Sequence, residues 1–302
     1  MKTILITGST GFLGSNFIKQ NSNNFKHIIG VTRGKEKKEN NVTFINLEIG
    51  NCQENERVIR KYDPDIILHF AFDHSYNNNM QFIKSLVLAA NKADFDGIFV
   101  LISSISVLKI NRGRLTYNYN SYYDPYCSTK RSIDRYFRKA KSTFNKQIVY
   151  PTIVYGPGGN WNRFIQNCVS AESFSLPLKG EIECNFIEVD EFSKKLFSII
   201  GKEFETILGG KNGKWIDLYR ELQGNKKLDV GETKGLYHDN LLINSILLLW
   251  HKTPLGILFN FLLSKYYSLR GGYKKSVRDY KKLKHISPTF SNRFIHSSNF
   301  KV

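Results

Sequence analysis

A glycine-punctuated run near the amino terminus, Thr7-Gly8-Ser9-Thr10-Gly11-Phe12-Leu13-Gly14, follows a short apolar stretch and opens an amphipathic segment. A glycine at every third position of such a junction lets the backbone turn tightly and come close to a pyrophosphate. The helix that follows then points its amino-terminal dipole at that charge. Gly8, Gly11 and Gly14 therefore predict a strand, a turn and a helix built to hold a dinucleotide.

Beyond the turn, short apolar runs alternate with helical patterns, the rhythm of a parallel sheet covered on both faces. Strands are expected near Lys2 to Thr7, His27 to Thr32, Val42 to Leu47, Asp65 to Ala71, Gly97 to Ser103 and Gln147 to Tyr150. Asn51 and Glu54 form a candidate capping pair for one crossover helix, and Asn79 to Lys92 supplies another. After Pro151 the rhythm breaks into loops and isolated helices, as in a substrate lobe. The expected fold is α/β: a doubly wound parallel (Rossmann) sheet with a smaller carboxy-terminal substrate-binding lobe. The dinucleotide-binding domain is placed at residues 1–155 and the substrate lobe at 156–302.

Two residues bring chemistry to this frame. In Asp124-Pro125-Tyr126-Cys127-Ser128-Thr129-Lys130, Asp124 can cap a helix with Pro125 in its first turn, which puts Tyr126 and Lys130 on one face. An ammonium beside a phenol stabilises the phenolate, so the tyrosine can exchange a proton with a sugar or alcohol oxygen near neutrality. With the glycine turn, the pair outlines a hydride-transfer enzyme. At the end of the second strand, Gly30-Val31-Thr32-Arg33-Gly34 has no acid to grip a ribose 2'-hydroxyl, and Arg33 and Thr32 suit a 2'-phosphate. NADP is thereby favoured over NAD.

These motifs resemble the extended short-chain dehydrogenase/reductase superfamily, in particular its NAD-dependent epimerase/dehydratase branch, over about residues 1 to 200. The likeness is carried by the Thr7 to Gly14 turn, Asp65-Ile66-Ile67-Leu68-His69-Phe70-Ala71, Asn79, and Leu101-Ile102-Ser103-Ser104-Ile105-Ser106-Val107. It continues through Tyr126 and Lys130, Pro151-Thr152-Ile153-Val154-Tyr155-Gly156-Pro157, and Asn185-Phe186-Ile187-Glu188-Val189-Asp190-Glu191. The resemblance implies a catalytic set of Ser104, Tyr126 and Lys130. In it, Ser104 bonds the substrate oxygen, Tyr126 moves its proton, and Lys130 tunes the tyrosine while holding the nicotinamide ribose. The dinucleotide contacts expected are Gly8, Thr10, Gly11, Phe12, Leu13 and Gly14, then Thr32 and Arg33, Glu48 and Ile49, Phe70, Ala71 and Phe72, the Tyr126–Lys130 pair, and Pro151 and Val154. The function implied is a sugar epimerase or ketoreductase acting on a nucleotide-linked sugar in surface-polysaccharide synthesis.

Departures from the family pattern narrow the reaction. Ile105 and Ser106 occupy the positions where dehydrating members carry an Asp-Glu acid and base, which disfavours a 4,6-dehydratase. Cys184-Asn185 replaces an Arg-Asp pair whose arginine binds substrate pyrophosphate, and Tyr150 replaces the arginine that commonly precedes the proline. A neutral thiol cannot stand in for a bidentate cation. Glu48 takes the place of the usual aspartate near the adenine.

Charge and cysteine usage bound the partners. The formal charge is +18, and residues 265–302 carry ten Lys or Arg against one acid, 10 − 1 = +9, half of the total. Two apolar runs, Leu241 to Trp250 and Leu255 to Leu263, lead into the basic, tyrosine-rich stretch Lys265 to Lys284. Neither run reaches the ~20 residues needed to span a bilayer. Apolar turns beside a lysine cluster suit an anionic membrane interface, so the alternatives are a membrane-peripheral enzyme for a lipid-linked sugar and a non-catalytic dinucleotide-binding regulator. No nucleic-acid module is recognised, and a homodimer is an open expectation. Cys52, Cys127, Cys168 and Cys184 lack metal-ligand spacing and read as reduced thiols. No metal site and no secretory signal are expected, which favours a cytoplasmic setting.

Overall fold

In the computed structural model, residues 1–73, 75–111, 114–117, 125–162, 174–176, 183–223 and 230–232 are described. In chain order the strands are β1 (Lys2–Thr7), β2 (Phe25–Thr32), β3 (Lys37–Glu39), β4 (Val42–Asn46), β5 (Ile66–His69), β6 (Ile98–Ile102), β7 (Leu108–Asn111) and β8 (Arg114–Tyr117). They continue with β9 (Asn145–Pro151), β10 (Ile153–Tyr155), β11 (Phe174–Leu176), β12 (Glu183–Glu188), β13 (Glu205–Leu208), β14 (Lys211–Lys214) and β15 (Val230–Glu232). The helices are α1 (Phe12–Asn21), α2 (Cys52–Tyr62), α3 (Tyr76–Lys92), α4 (Pro125–Lys139), α5 (Val189–Ile199) and α6 (Trp215–Gln223).

Eight strands form the main sheet in the order β13-β9-β6-β5-β1-β2-β4-β3, parallel except for the antiparallel edge strand β3. The central strands read as unbroken apolar runs, Ile4-Leu5-Ile6 in β1 and Ile66-Ile67-Leu68 in β5, because helices cover both faces. On one face Val58, Ile59, Ile83, Leu86, Ile133 and Phe137 of α2, α3 and α4 pack on the sheet. On the other, Phe17 and Ile18 of α1 join Phe192 and Leu196 of α5. Each such side chain contributes about 1.5–3 kcal/mol by leaving water. Strand order reverses between β1 and β5, and the crevice beyond their carboxyl ends is where sheets of this kind take ligands.

The expected strands are all present, within a residue or two of their sequence bounds. Asn51 caps α2, its side chain accepting from the backbone N–H groups of Gln53 and Glu54. The reciprocal half of the capping box is replaced, because the Asn51 N–H goes to the carbonyl of Glu48. Helix α3 starts at Tyr76 rather than Asn79, since the Ser75 hydroxyl accepts from the Asn78 N–H and caps it earlier. Helix α4 carries the basic residues Arg131, Arg135, Arg138 and Lys139 and ends before Lys141. Within the stretch Lys35 to Asn41, residues Lys37–Glu39 pair as β3 with β4.

Past Pro151 the chain is richer in strands than its sequence rhythm implied. Strand β10 pairs in parallel with β12, which pairs antiparallel with β14, and β13 returns to the main sheet beside β9. Elsewhere β11 pairs with β15 and β7 with β8. Among the described residues no helix is long and apolar enough to cross a membrane. The runs Leu241 to Trp250 and Leu255 to Leu263, the basic tail, Cys168 and the Asp124 cap lie outside the described residues.

Candidate active site

The glycine turn forms as its spacing requires. Gly8 has a φ of +73°, and a Cβ there would meet the backbone N of Ala71 at 2.7 Å. The Gly11 N–H closes the turn on the Gly8 carbonyl at 3.0 Å, and a Cβ on Gly14 would fall 2.3 Å from that same oxygen. The turn is thus pressed against Phe70 and Ala71 after β5, and only glycine fits at positions 8 and 14. Gly11 precedes α1 without a side-chain cap, and the helix has no acid in its first turn. Its amino end keeps backbone donors and positive dipole for an anion. Thr10 is exposed, and Phe12 and Leu13 are half-buried beside it.

The other expected dinucleotide contacts surround this turn unevenly. The buried Ser9 hydroxyl donates to the Val31 carbonyl at 2.7 Å, tying the turn to the end of β2. Thr32 is buried there, its hydroxyl accepting from the Gly34 N–H at 2.9 Å, and Arg33 beside it is exposed. Glu48 and Ile49 follow β4, Glu48 exposed and the Ile49 carbonyl accepting from Asn55 at 2.6 Å. Phe12 underlies the loop after β10, where a Cβ on Gly159 would stand 2.8 Å from its ring. Pro151 pairs with Leu208 in the main sheet, and Val154 packs in the core beneath β10 with Ile187 and Val189.

Helix α4 delivers the lysine and tyrosine to the same edge of the sheet. The Lys130 side chain is buried, and its Nζ donates to the Ile102 carbonyl at 2.9 Å, two residues before Ser104. Its ammonium stands 4.9 Å over the Phe72 ring, and the Tyr126 ring meets Phe72 edge-on at 4.9 Å between centroids. Phe72 therefore links the pair to the chain leaving β5. Burial lowers the Lys130 ammonium to about 8, so it is still largely charged at neutrality and loses its proton easily above that.

Ser104 sits in extended conformation at the end of β6, its Oγ 2.9 Å from that of Ser106. Ile105 turns into the core. Neither of the two positions after Ser104 supplies a carboxylate.

Three further residues shape the surroundings: His69 and Asn79, which belong to the motifs of the resemblance, and Asp134, which the sequence did not single out. His69 Nδ1 lies 2.6 Å from the Thr7 hydroxyl, and the ring is held near a pKa of about 3, first by burial and then by the Lys130 charge. It stays neutral at the switch point. Asn79 bridges the entrance of α3, donating to the carbonyls of Asp73 and Ser75 and accepting from the Asp73 N–H. Asp134, fully buried one turn after Lys130, gathers Ser103, Arg138 and Tyr150. In the sequence a carboxylate among basic residues reads as a solvated face.

The positions that depart from the family pattern have structural work. Asn185 is buried and spans the β12–β14 connection, donating to the Gly210 carbonyl and Asn212 Oδ1 and accepting from the Gly210 N–H. Cys184 is buried, and its thiol is pushed up to about 12 by burial and then by Asp217. It remains a neutral thiol. Among the described residues no group of three His, Cys, Asp or Glu side chains is placed to hold a metal ion.

A sequence profile of the NAD dependent epimerase/dehydratase family matches residues 4–202, well over half of the 302-residue chain. No curated relative matches the chain. Among solved structures it is similar to a UDP-glucose 4-epimerase with UDP-glucose from the hyperthermophilic eubacterium Thermotoga maritima, at 18% identity over 76% of this chain and 85% of that chain, with a TM-score of 0.60. It is also similar to a dTDP-glucose 4,6-dehydratase from Bacillus anthracis in complex with NAD, at 20% identity over 77% and 85% of the two chains and a TM-score of 0.61. The Bordetella bronchiseptica enzyme WbmH in complex with NAD+ matches at 19% identity over 77% and 86%, with a TM-score of 0.60. At these identities the likeness establishes a shared fold.

Proposed function

The chain belongs to the NAD dependent epimerase/dehydratase family and is an enzyme of the extended short-chain dehydrogenase/reductase type, and from that premise we propose that it is a nicotinamide-dependent epimerase or ketoreductase of a nucleotide-linked sugar. The observation that carries the reading is the cluster of Tyr126, Lys130 and Phe72 at the carboxyl edge of the sheet, beside the switch point, with Lys130 bonded to the Ile102 carbonyl. The cradle at Gly8, Gly11 and Gly14 fits a dinucleotide pyrophosphate, since a Cβ at Gly8 or Gly14 collides with backbone. A bound nicotinamide dinucleotide supplies hydride acceptance and donation.

The rest of the chemistry falls to this chain's residues. Tyr126 takes or returns the proton of the reacting sugar hydroxyl through its phenol oxygen. Lys130, charged below about pH 8, favours the phenolate. Ser104 donates to the same sugar oxygen, a placement worth about 2–4 kcal/mol where negative charge develops. His69, held neutral, adds no competing positive charge behind the lysine. Dehydration lacks an acid and base at Ile105 and Ser106, which leaves epimerisation and reduction.

The roles of the individual residues, the division near residue 155 and a place in surface-polysaccharide synthesis belong to this proposal. Exposed Arg33 and the Thr32 hydroxyl at the end of β2 favour NADP as the dinucleotide. A second reading, NAD, is supported by the NAD bound in the similar dehydratase and WbmH structures.

Mass spectrometry of the small molecules that co-purify with the chain separates the two. Turnover of UDP-glucose, dTDP-glucose and their 4-keto derivatives, followed by NMR of the sugar and absorbance of the nicotinamide, then tests the reaction. A new epimer without net cofactor change marks an epimerase, and consumption of NADPH marks a reductase. Inertness toward every nucleotide sugar and keto-sugar tried, with a dinucleotide bound, would count against this class of substrate.

A further inference from the structure

One face of α4 is stitched to three strands. Lys130, Asp134 and Arg138 follow at i, i+4 and i+8, the spacing of a single helix face. Lys130 Nζ donates to Ile102 O at 2.9 Å. One turn on, Asp134 is fully buried and accepts at Oδ2 from the Ser103 hydroxyl at 3.3 Å and the Tyr150 phenol at 2.6 Å, and at Oδ1 from Arg138 Nε at 2.6 Å. Arg138 also donates to the Tyr150 oxygen and pairs with Glu205 on β13. A buried carboxylate is tolerable only when it is paired and its oxygens are bonded, and here three donors meet two oxygens. Tyr150 stays protonated because burial, and then the Asp134 charge, raises its pKa.

The donors lie where they fix position. Ser103 immediately precedes Ser104, Tyr150 sits on the neighbouring β9, and Arg138 anchors through Glu205 to the last strand of the sheet. We propose that Asp134 is a positioning residue: it sets the height of α4 along β6, and so where Tyr126 and Lys130 stand relative to Ser104. It touches no reacting atom. The proposal rests on the proton-transfer roles given above to Tyr126 and Lys130. It also assigns a use to Tyr150, which serves as the strand donor to a carboxylate whose cation, Arg138, comes from the carboxylate's own helix.

The test reads Tyr126 directly in the full chain, by NMR titration of tyrosines labelled with 13C at Cζ, the Tyr126 signal being identified by its loss in Tyr126→Phe. Ser103→Ala and Tyr150→Phe each remove one donor to Asp134 and change no formal charge at neutral pH. In both, Tyr126 is expected to ionise at least ~0.5 unit higher than in the parent, because Tyr126 moves with α4 while the Lys130 ammonium stays bonded to the Ile102 carbonyl, which parts the two. Asp134→Asn separates geometry from charge. Loss of a nearby negative charge by itself moves the tyrosine down, whereas loss of position moves it up, and an upward shift is expected.

A folded Ser103→Ala and Tyr150→Phe with the parent's Tyr126 titration, or a downward shift in Asp134→Asn, overturns the positioning role. If Asp134→Asn does not fold, the two single-donor variants decide. Lys130→Met is the control: a Tyr126 that ignores it sinks the proton-transfer reading and the positioning role together. A Tyr126 that responds to it, but not to Ser103→Ala or Tyr150→Phe, overturns only the role of Asp134.

Discussion

Tyr126 and Lys130 are bound into the site by different means, and the difference shows in what their loss should do. Tyr126 meets Phe72 edge-on and has a phenol to which proton transfer is proposed, so Tyr126→Phe keeps the ring packing. Dinucleotide affinity is expected to hold within a few-fold while kcat falls at least ~100-fold, as for loss of a general acid or base; a calorimetric titration beside a rate measurement checks both halves. Lys130 adds a pH-linked term to stability. The unfolded lysine keeps its proton to about 10.5 and the folded one releases it near 8, so between those values the unfolded state binds more protons and stability rises with pH. Lys130→Met lacks this slope. The difference in unfolding free energy, parent minus variant, should grow across that window by an amount on the order of 3 kcal/mol. Urea melts below and above the window measure it, and a flat difference would show that the ammonium is not desolvated. Both residues stand out in the sequence because a tyrosine and a lysine four apart behind Asp124-Pro125 form a local pattern. Asp134 was not, because its partners Ser103 and Tyr150 are distant in sequence and its own neighbours are basic.

The sheet was readable where strands are buried on both faces and bounded by turns. Ile4 to Ile6, Ile28 to Val31 and Ile66 to Leu68 announce themselves by unbroken apolar character. Strand β3 did not, since Lys37-Lys38-Glu39 is exposed throughout and pairs along one edge, where charge discourages further pairing. Strand β13 escaped as well: Glu205-Thr206-Ile207-Leu208 is short, and only its partnership with β9 makes it a strand. The link between β1 and α1 yields the sharpest test at this scale. Gly8→Ala imposes a φ of +73° on a residue with a Cβ and drives that carbon into the backbone of Phe70 and Ala71. A loss of roughly 2 kcal/mol or more is expected, together with loss of dinucleotide binding. Unfolding and binding curves of the variant that match the parent's would remove the turn from the cofactor site.

Across the whole chain, charge is the property that the described fold leaves unused. Half of the +18 falls in residues 265–302, directly after the apolar runs 241–250 and 255–263. Each Lys or Arg near an anionic bilayer contributes about 1 kcal/mol, and aromatic side chains add apolar burial. If these segments form an interfacial anchor, the protein sediments with anionic but not neutral liposomes and is released by salt. Exchange of Lys274, Lys275, Lys281 and Lys282 for glutamate should then abolish sedimentation in a folded protein. Unaltered binding by that variant takes the four lysines out of any membrane contact, and no binding by the parent removes the interfacial anchor. The tail's sequence shows its charge but not its partner, since lipid, phosphorylated substrate and plain solvent all accept a lysine-rich surface.

The sheet's outermost strand also comes late in synthesis. The glycine turn, Ser104, Tyr126 and Lys130 all leave the ribosome before Glu205, yet β9, with Ile148, Val149 and Tyr150 buried in the finished sheet, is covered on its outer edge only when β13 arrives. Until then a nascent chain holds a nearly complete nucleotide fold with one apolar strand edge open and Arg138 without Glu205. Chains released after Lys202 should aggregate, and chains extended through Leu208 and α6 should do so far less, which light scattering of the two truncations would show. Translation speed across the codons for residues 200 to 210 then becomes a determinant of yield, and a chaperone that guards a strand edge has its moment there.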